Sequence, residues 1–136
     1  MSSYPITDLD GVDGTPASAL RSVRIRSTGR LLEAAKSPTD RKILASKTGL
    51  DEKRLLRWAN MADRMRIRGV RKEYAELLQA AGVDTVKELK YRNPSNLAKA
   101  MAEANKKRKL VRLLPSQKLI VRWIDHAKKL PLKISY

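Results

Sequence analysis

The chain repeats itself. At a shift of 58 residues, Leu9-Asp10-Gly11-Val12 falls on Ile67-Arg68-Gly69-Val70, and Ala19-Leu20 falls on Leu77-Leu78. Ile25-Arg26-Ser27 falls on Val83-Asp84-Thr85, and Leu31 on Leu89. Further along the shift grows to 65, where Arg57-Trp58 and Ala62 meet Arg122-Trp123 and Ala127. The second copy therefore carries a small insertion, placed between Asn105 and Pro115. Duplication on this scale makes the chain two copies of one helical unit, and its length suits one compact domain or two small repeats sharing a core. We expect residues 1–136 to form a single domain, with residues 6–64 as a first helical repeat and 65–130 as a second.

The repeated unit reads as helical. Apolar residues recur at helical spacing (Leu55, Trp58, Ala59, Ala62; Leu97, Ala98, Met101; Leu119, Ile120, Trp123, Ile124, Ala127), and no window alternates as a strand does. Start signals precede these stripes. Thr15-Pro16 reads as N-cap and first helical position, and Ser37-Pro38 and Asn93-Pro94 open helices in the same way. Ser27 and Asp51 are further caps, Pro115-Ser116 starts the last helix, and Thr85-Val86-Lys87-Glu88 is a capping box. Gly49 and Pro131 are stop signals. The fold class expected is all-α. Residues 1–5 read as a poorly ordered arm, and Trp58 and Trp123 as core anchors rather than base-stacking platforms.

The stretch from Met65 to Leu89 is the most informative. It reads as a helix end, a tight turn Arg68-Gly69-Val70-Arg71, a helix, a glycine stop at Gly82 and a new helix. Gly69 supplies the positive φ of a short helix-to-helix connection, and Val70 plugs the turn into the core. The following helix opens with Arg71 and Lys72, where backbone N–H groups lack intrahelical partners and the dipole is positive. Amides and cations together at a helix start form a phosphate-binding arrangement.

Charge supports that direction. The formal net charge is +16, which predicts attraction to polyanions. It is unevenly spread: residues 1–20 hold Asp8, Asp10 and Asp13 and no Lys or Arg, whereas residues 101–136 hold ten Lys or Arg against Glu103 and Asp125. Lys106-Lys107-Arg108-Lys109 forms a basic run, read as a loop. The first turn, Asp10-Gly11-Val12-Asp13, is acidic where the second is basic.

These residues carry a resemblance. Ile67-Arg68-Gly69-Val70 followed by Tyr74-Ala75-Glu76-Leu77-Leu78 resembles the helix-hairpin-helix motif. Gly82-Val83-Asp84-Thr85-Val86 with Leu89 is similar to the related unit in the C-terminal domain of the bacterial RNA polymerase alpha subunit. The two-copy layout resembles a bacterial family of unknown function with tandem helix-hairpin-helix-like units. The resemblance implies that turn amides hold a DNA phosphate, supported by a following cation, and so implicates Gly69, Val70, Arg71 and Lys72. The chain departs from the motif at its second turn glycine, where Arg71 and, in the first copy, Asp13 stand instead. Asp10 and Asp13 would repel phosphate, so the first hairpin reads as structural.

Other chemistry has little support. Cysteine is absent, which removes disulfides and thiolate metal sites and fits a reducing compartment. No metal-ligand cluster, nucleotide-binding glycine loop or nucleophile triad is spaced to act, and no cofactor is expected. His126, the sole histidine, lies near a helix C-terminus that favours a cation, and is assigned a surface or capping role. No segment is apolar enough to span a membrane, and the N-terminus lacks the pattern of a secretory signal. We therefore expect a non-catalytic, largely sequence-independent DNA-binding protein in the cytoplasm, associated with the nucleoid. It would use Arg68, Gly69, Val70, Arg71 and Lys72, with Lys106, Lys107, Arg108 and Lys109 as a second patch. A helical protein-interaction adaptor, self-association through the acidic turn, and RNA or ribosome binding are the alternatives.

Overall fold

A computed structural model describes residues 3–136. It is all-α: α1 Gly14–Ser22, α2 Thr28–Ala34, α3 Pro38–Thr48, α4 Glu52–Arg64, α5 Lys72–Ala80, α6 Val86–Leu89, α7 Pro94–Arg108 and α8 Gln117–Lys129. A short 3-10 turn, Ile6–Asp8, precedes them. Among the described residues no strand forms; one antiparallel bridge pairs Pro5 with Ser27.

Local sequence sets most helix starts. The hydroxyls of Ser27, Ser37, Thr85 and Ser116 and the Asn93 carboxamide each accept the backbone N–H three residues on. Asp51 accepts from Lys53 N. The capping box at Thr85 is modified: Glu88 reaches back to the Asp84 amide instead of that of Thr85. Gly49 closes α3 with a left-handed φ of 74°. Two expectations need correction. Thr15 is not a cap: α1 begins at Gly14, with Asp13 extended in the N-cap position. Lys106–Lys109 is not a loop. Lys106, Lys107 and Arg108 form the last turn of α7 and Lys109 is its left-handed C-cap. Lys and Arg are good helix formers, and cations in a last turn offset the negative end of the helix dipole.

The chain clusters into two compact units. One comprises the residues up to Asp63 together with Lys133–Tyr136, the other Arg64–Leu132. In the first, Leu9, Val12, Leu20, Ile25, Leu31, Trp58 and Ala62 are buried; in the second, Ile67, Val70, Leu78, Val83, Leu89, Trp123 and Ala127 are buried. These are the positions that matched at shifts of 58 and 65. The elements follow the same register. Gly14–Ser22 and Lys72–Ala80 start 58 residues apart with nine residues each, and Glu52–Arg64 and Gln117–Lys129 start 65 apart with thirteen each.

The C-terminal tail belongs to the first unit. Arg41, almost fully buried, donates from Nη1 to Ala35 O (2.9 Å) and from Nη2 to Ser135 O (2.8 Å). Ser135 N donates to Lys36 O, and Lys133 pairs with Glu33 at 3.2 Å. That pairing, reinforced by the charge of Lys36, lowers the Glu33 carboxyl below its usual range. The N-terminal segment is tied as well. Tyr4 N donates to the Thr28 hydroxyl and Thr28 N to Tyr4 O, so of the expected loose arm residues 3–5 are not loose, and Met1 and Ser2 lie outside the described residues.

Candidate nucleic-acid interface

The second hairpin is built as its sequence requires. Gly69 takes φ +88°, Val70 is fully buried, and Arg68, Gly69, Arg71 and Lys72 are exposed. A Cβ at Gly69 would lie 3.5 Å from Trp123 Nε1, so the indole of α8 packs against the turn. Gly69 is required by its left-handed backbone, since a Cβ at 3.5 Å would make only an ordinary contact with the ring. Arg71 occupies the N-cap of α5 with no side-chain cap bond. The same holds for Asp13 at α1, whereas α2, α3, α6, α7 and α8 are all capped by side chains. The two helices that follow the hairpin turns are therefore the ones whose first amides no capping side chain occupies.

The surroundings of the two turns differ. Around the second stand the exposed cations Arg68, Arg71 and Lys72; around the first, exposed Asp10 and Asp13. Coulomb interaction with a phosphate is attractive in one case and repulsive in the other.

Lys109 joins this neighbourhood. A cleft of about 750 Å³ is lined by Glu73 and Tyr74 from the first turn of α5 and by Asn105, Lys109, Leu110, Val111, Arg112 and Leu113. Asn105 fixes the cleft's outer wall, accepting from Val111 N and donating to Val111 O. The Tyr74 hydroxyl donates to Leu113 O. One end of the basic run thus shares a cleft with the start of α5, together with Arg112, which the sequence reading did not single out. Lys106, Lys107 and Arg108 are exposed on α7 outside this lining.

Two features escaped sequence reasoning. Arg64 and Arg66, just before the turn, are buried and donate inward. Arg64 reaches Ala75 O (2.9 Å) and Asp84 O (2.8 Å), and Arg66 grips Pro131 O with both terminal nitrogens. These cations hold the hairpin's frame. His126 was expected to favour the charged form. Instead its Nδ1 accepts the Arg68 amide at 3.1 Å, and its pKa is lowered, first by burial and then by Arg68, Lys129 and Arg66. Burial, with three nearby cations, outweighs the helix terminus.

Among the described residues no cluster of His, Cys, Asp or Glu could hold a metal ion, and no helix is long and apolar enough to cross a membrane. Residues 11–130 match the family described as Domain of unknown function (DUF4332), and the chain belongs to that family. No curated protein and no solved structure matches it.

Proposed function

We propose that the protein binds duplex DNA without catalysis and largely without regard to sequence, by holding backbone phosphate at its second hairpin. The observation that carries this reading is the N-terminus of α5. Its first amides have no side-chain cap, and Arg68, Arg71 and Lys72 stand exposed around them. Lys109 and Arg112, in the cleft beside the first turn of α5, extend the basic surface, and Lys106, Lys107 and Arg108 continue it along α7. Phosphate contacts of this type supply affinity and position, and carry little sequence information. We read the matching helix bounds and buried positions as a tandem duplication of one helix-hairpin-helix-like unit. The first copy, with Asp10 and Asp13 at its turn, serves as scaffold. A nucleoid-associated, cytoplasmic location follows from this reading.

The test is fluorescence anisotropy with labelled duplexes of unrelated sequence over a salt series. With roughly four to six phosphates neutralised, log K should fall against log salt with a slope of about −4 to −5, the same for each duplex. Equal or tighter binding to single-stranded or duplex RNA would move the assignment to RNA. No binding at low salt would remove nucleic acid as the ligand and favour a protein partner.

A further inference from the structure

The second hairpin is held by a contact that the first replaces with a different chemistry. In the first unit, Asp10 is tethered through both of its backbone polar groups. Its N–H approaches Met61 Sδ at 3.5 Å, and its carbonyl accepts from Trp58 Nε1 at 2.8 Å. Trp58 and Met61 lie three residues apart on α4, so both side chains project from one face. The corresponding residues on α8, at a shift of 65, are Trp123 and His126, and the corresponding turn residue, at 58, is Arg68. Here the Arg68 N–H donates to His126 Nδ1 at 3.1 Å, while Trp123 Nε1, buried against Gly69, has no partner. Two tethers that do not titrate hold the first turn; of the matching pair in the second, one is made, and it titrates.

We propose that His126 is a positioning residue for the second hairpin and makes its grip on a phosphate backbone pH-dependent: the neutral imidazole holds the Arg68 peptide in place, and protonation at Nδ1 releases it. This rests on the reading of that hairpin as the phosphate site. An amide N–H can only donate, so Nδ1 must be bare and the ring's proton must sit on Nε2. A second proton can enter only at Nδ1. It turns the acceptor into a donor facing a donor and adds charge beside Arg68, Lys129 and Arg66. Burial and these three cations hold the pKa below the ordinary histidine range, so the tether is made near neutral pH and acid is needed to break it. The other charged groups nearby do not counter this. Asp125 adjoins His126 on α8, and α6 and α7, which pack on α8, carry Lys87, Glu88, Lys99, Glu103, Lys106, Lys107 and Arg108, yet none of these is among the groups that perturb the imidazole.

The experiment compares wild type with His126→Asn and His126→Met between about pH 7.5 and about pH 5.5, at fixed ionic strength, by anisotropy with duplex DNA. Asn keeps a short polar acceptor that does not titrate, and Met installs the residue found at the matching place in the first unit. The backbone amide resonance of Arg68 is followed over the same pH series without DNA. Loss of one backbone hydrogen bond at the site should weaken wild-type binding about fivefold on acidification. Both variants should bind near the neutral wild-type level at either pH, and the wild-type Arg68 amide should titrate together with His126. Normal DNA binding with an Arg68 amide that ignores His126, or an acid loss of the same size in both variants, overturns the tether. An Arg68 amide that titrates with His126 in a protein that binds no DNA at any pH upholds the tether and overturns the phosphate reading beneath it.

Discussion

Replacing each tryptophan by phenylalanine separates two residues that the sequence presents as equivalents. Both indoles are buried on the last helix of their unit, Trp58 at 5% exposure and Trp123 at 1%. Both Phe substitutions remove a similar part of the ring and leave a similar hole, so that cost is largely common to the pair. The indole nitrogens differ. Trp58 Nε1 donates to Asp10 O at 2.8 Å, and losing a bond of that kind costs about 1 kcal/mol. Trp123 Nε1 is buried with no partner, so removing it relieves a desolvation penalty of about 1 kcal/mol or more. Trp58→Phe should therefore destabilise by about 2 kcal/mol more than Trp123→Phe. Urea denaturation followed by helix circular dichroism measures both, and in each variant the remaining tryptophan reports on its own unit by fluorescence. Equal costs, or a larger cost for Trp123→Phe, would refute the assignment of unequal bonding. Truncation of either to Ala should cost about 3–5 kcal/mol, as for large buried aromatics, whatever its nitrogen does.

Other consequences are as direct. Arg41→Met removes two donors from the Ala35 and Ser135 carbonyls; it should free the C-terminal tail to proteolysis and lower stability by about 2–3 kcal/mol, read by limited digestion and denaturant titration. Asn105→Ala should loosen the wall of the cleft beside α5, raising amide exchange at Val111 while leaving overall helix content unchanged. Because the folded-state pKa of His126 lies below its unfolded value, the unfolded chain takes up the proton first as pH falls. Stability should then be full above about pH 6.5 and decline as pH drops below it towards the folded pKa, a decline absent in His126→Asn. Asp10→Asn with Asp13→Asn should leave DNA affinity unchanged or slightly higher, since it removes repulsion at a turn assigned no contact.

What the sequence made legible is what short-range physics decides. Caps at Ser27, Ser37, Thr85, Asn93 and Ser116 reach three residues along the chain, so their partners are set by spacing. The buried stripe, with both tryptophans, could be read because matching apolar residues recur at shifts of 58 and 65. The positive φ of Gly69 followed from a short helix-to-helix connection that favours glycine. Less was visible where partners are distant. Arg41, Arg64 and Arg66 count toward the charge of +16, yet each is buried and spends donors on carbonyls, so composition overstated the surface cation. The meeting of Arg68 with His126, 58 residues away, could not be read from either alone. Four successive cations resemble a solvated linker, yet Lys and Arg are good helix formers and α7 continues through Arg108. The docking of Lys133–Tyr136 on the first unit lay beyond the reach of a pattern that ended at Pro131.

The most direct test of the account is the salt dependence of DNA binding by a variant carrying Arg68→Gln, Arg71→Gln and Lys72→Gln together. Gln is a good helix former, and Gly69 and Val70 remain, so helix content should survive and circular dichroism will verify it. If each side chain neutralises one phosphate, affinity should fall and the slope of log K against log salt should become shallower by up to about 3. A correctly folded triple variant that binds with wild-type affinity and wild-type slope would contradict the claim that the second hairpin holds the phosphate backbone.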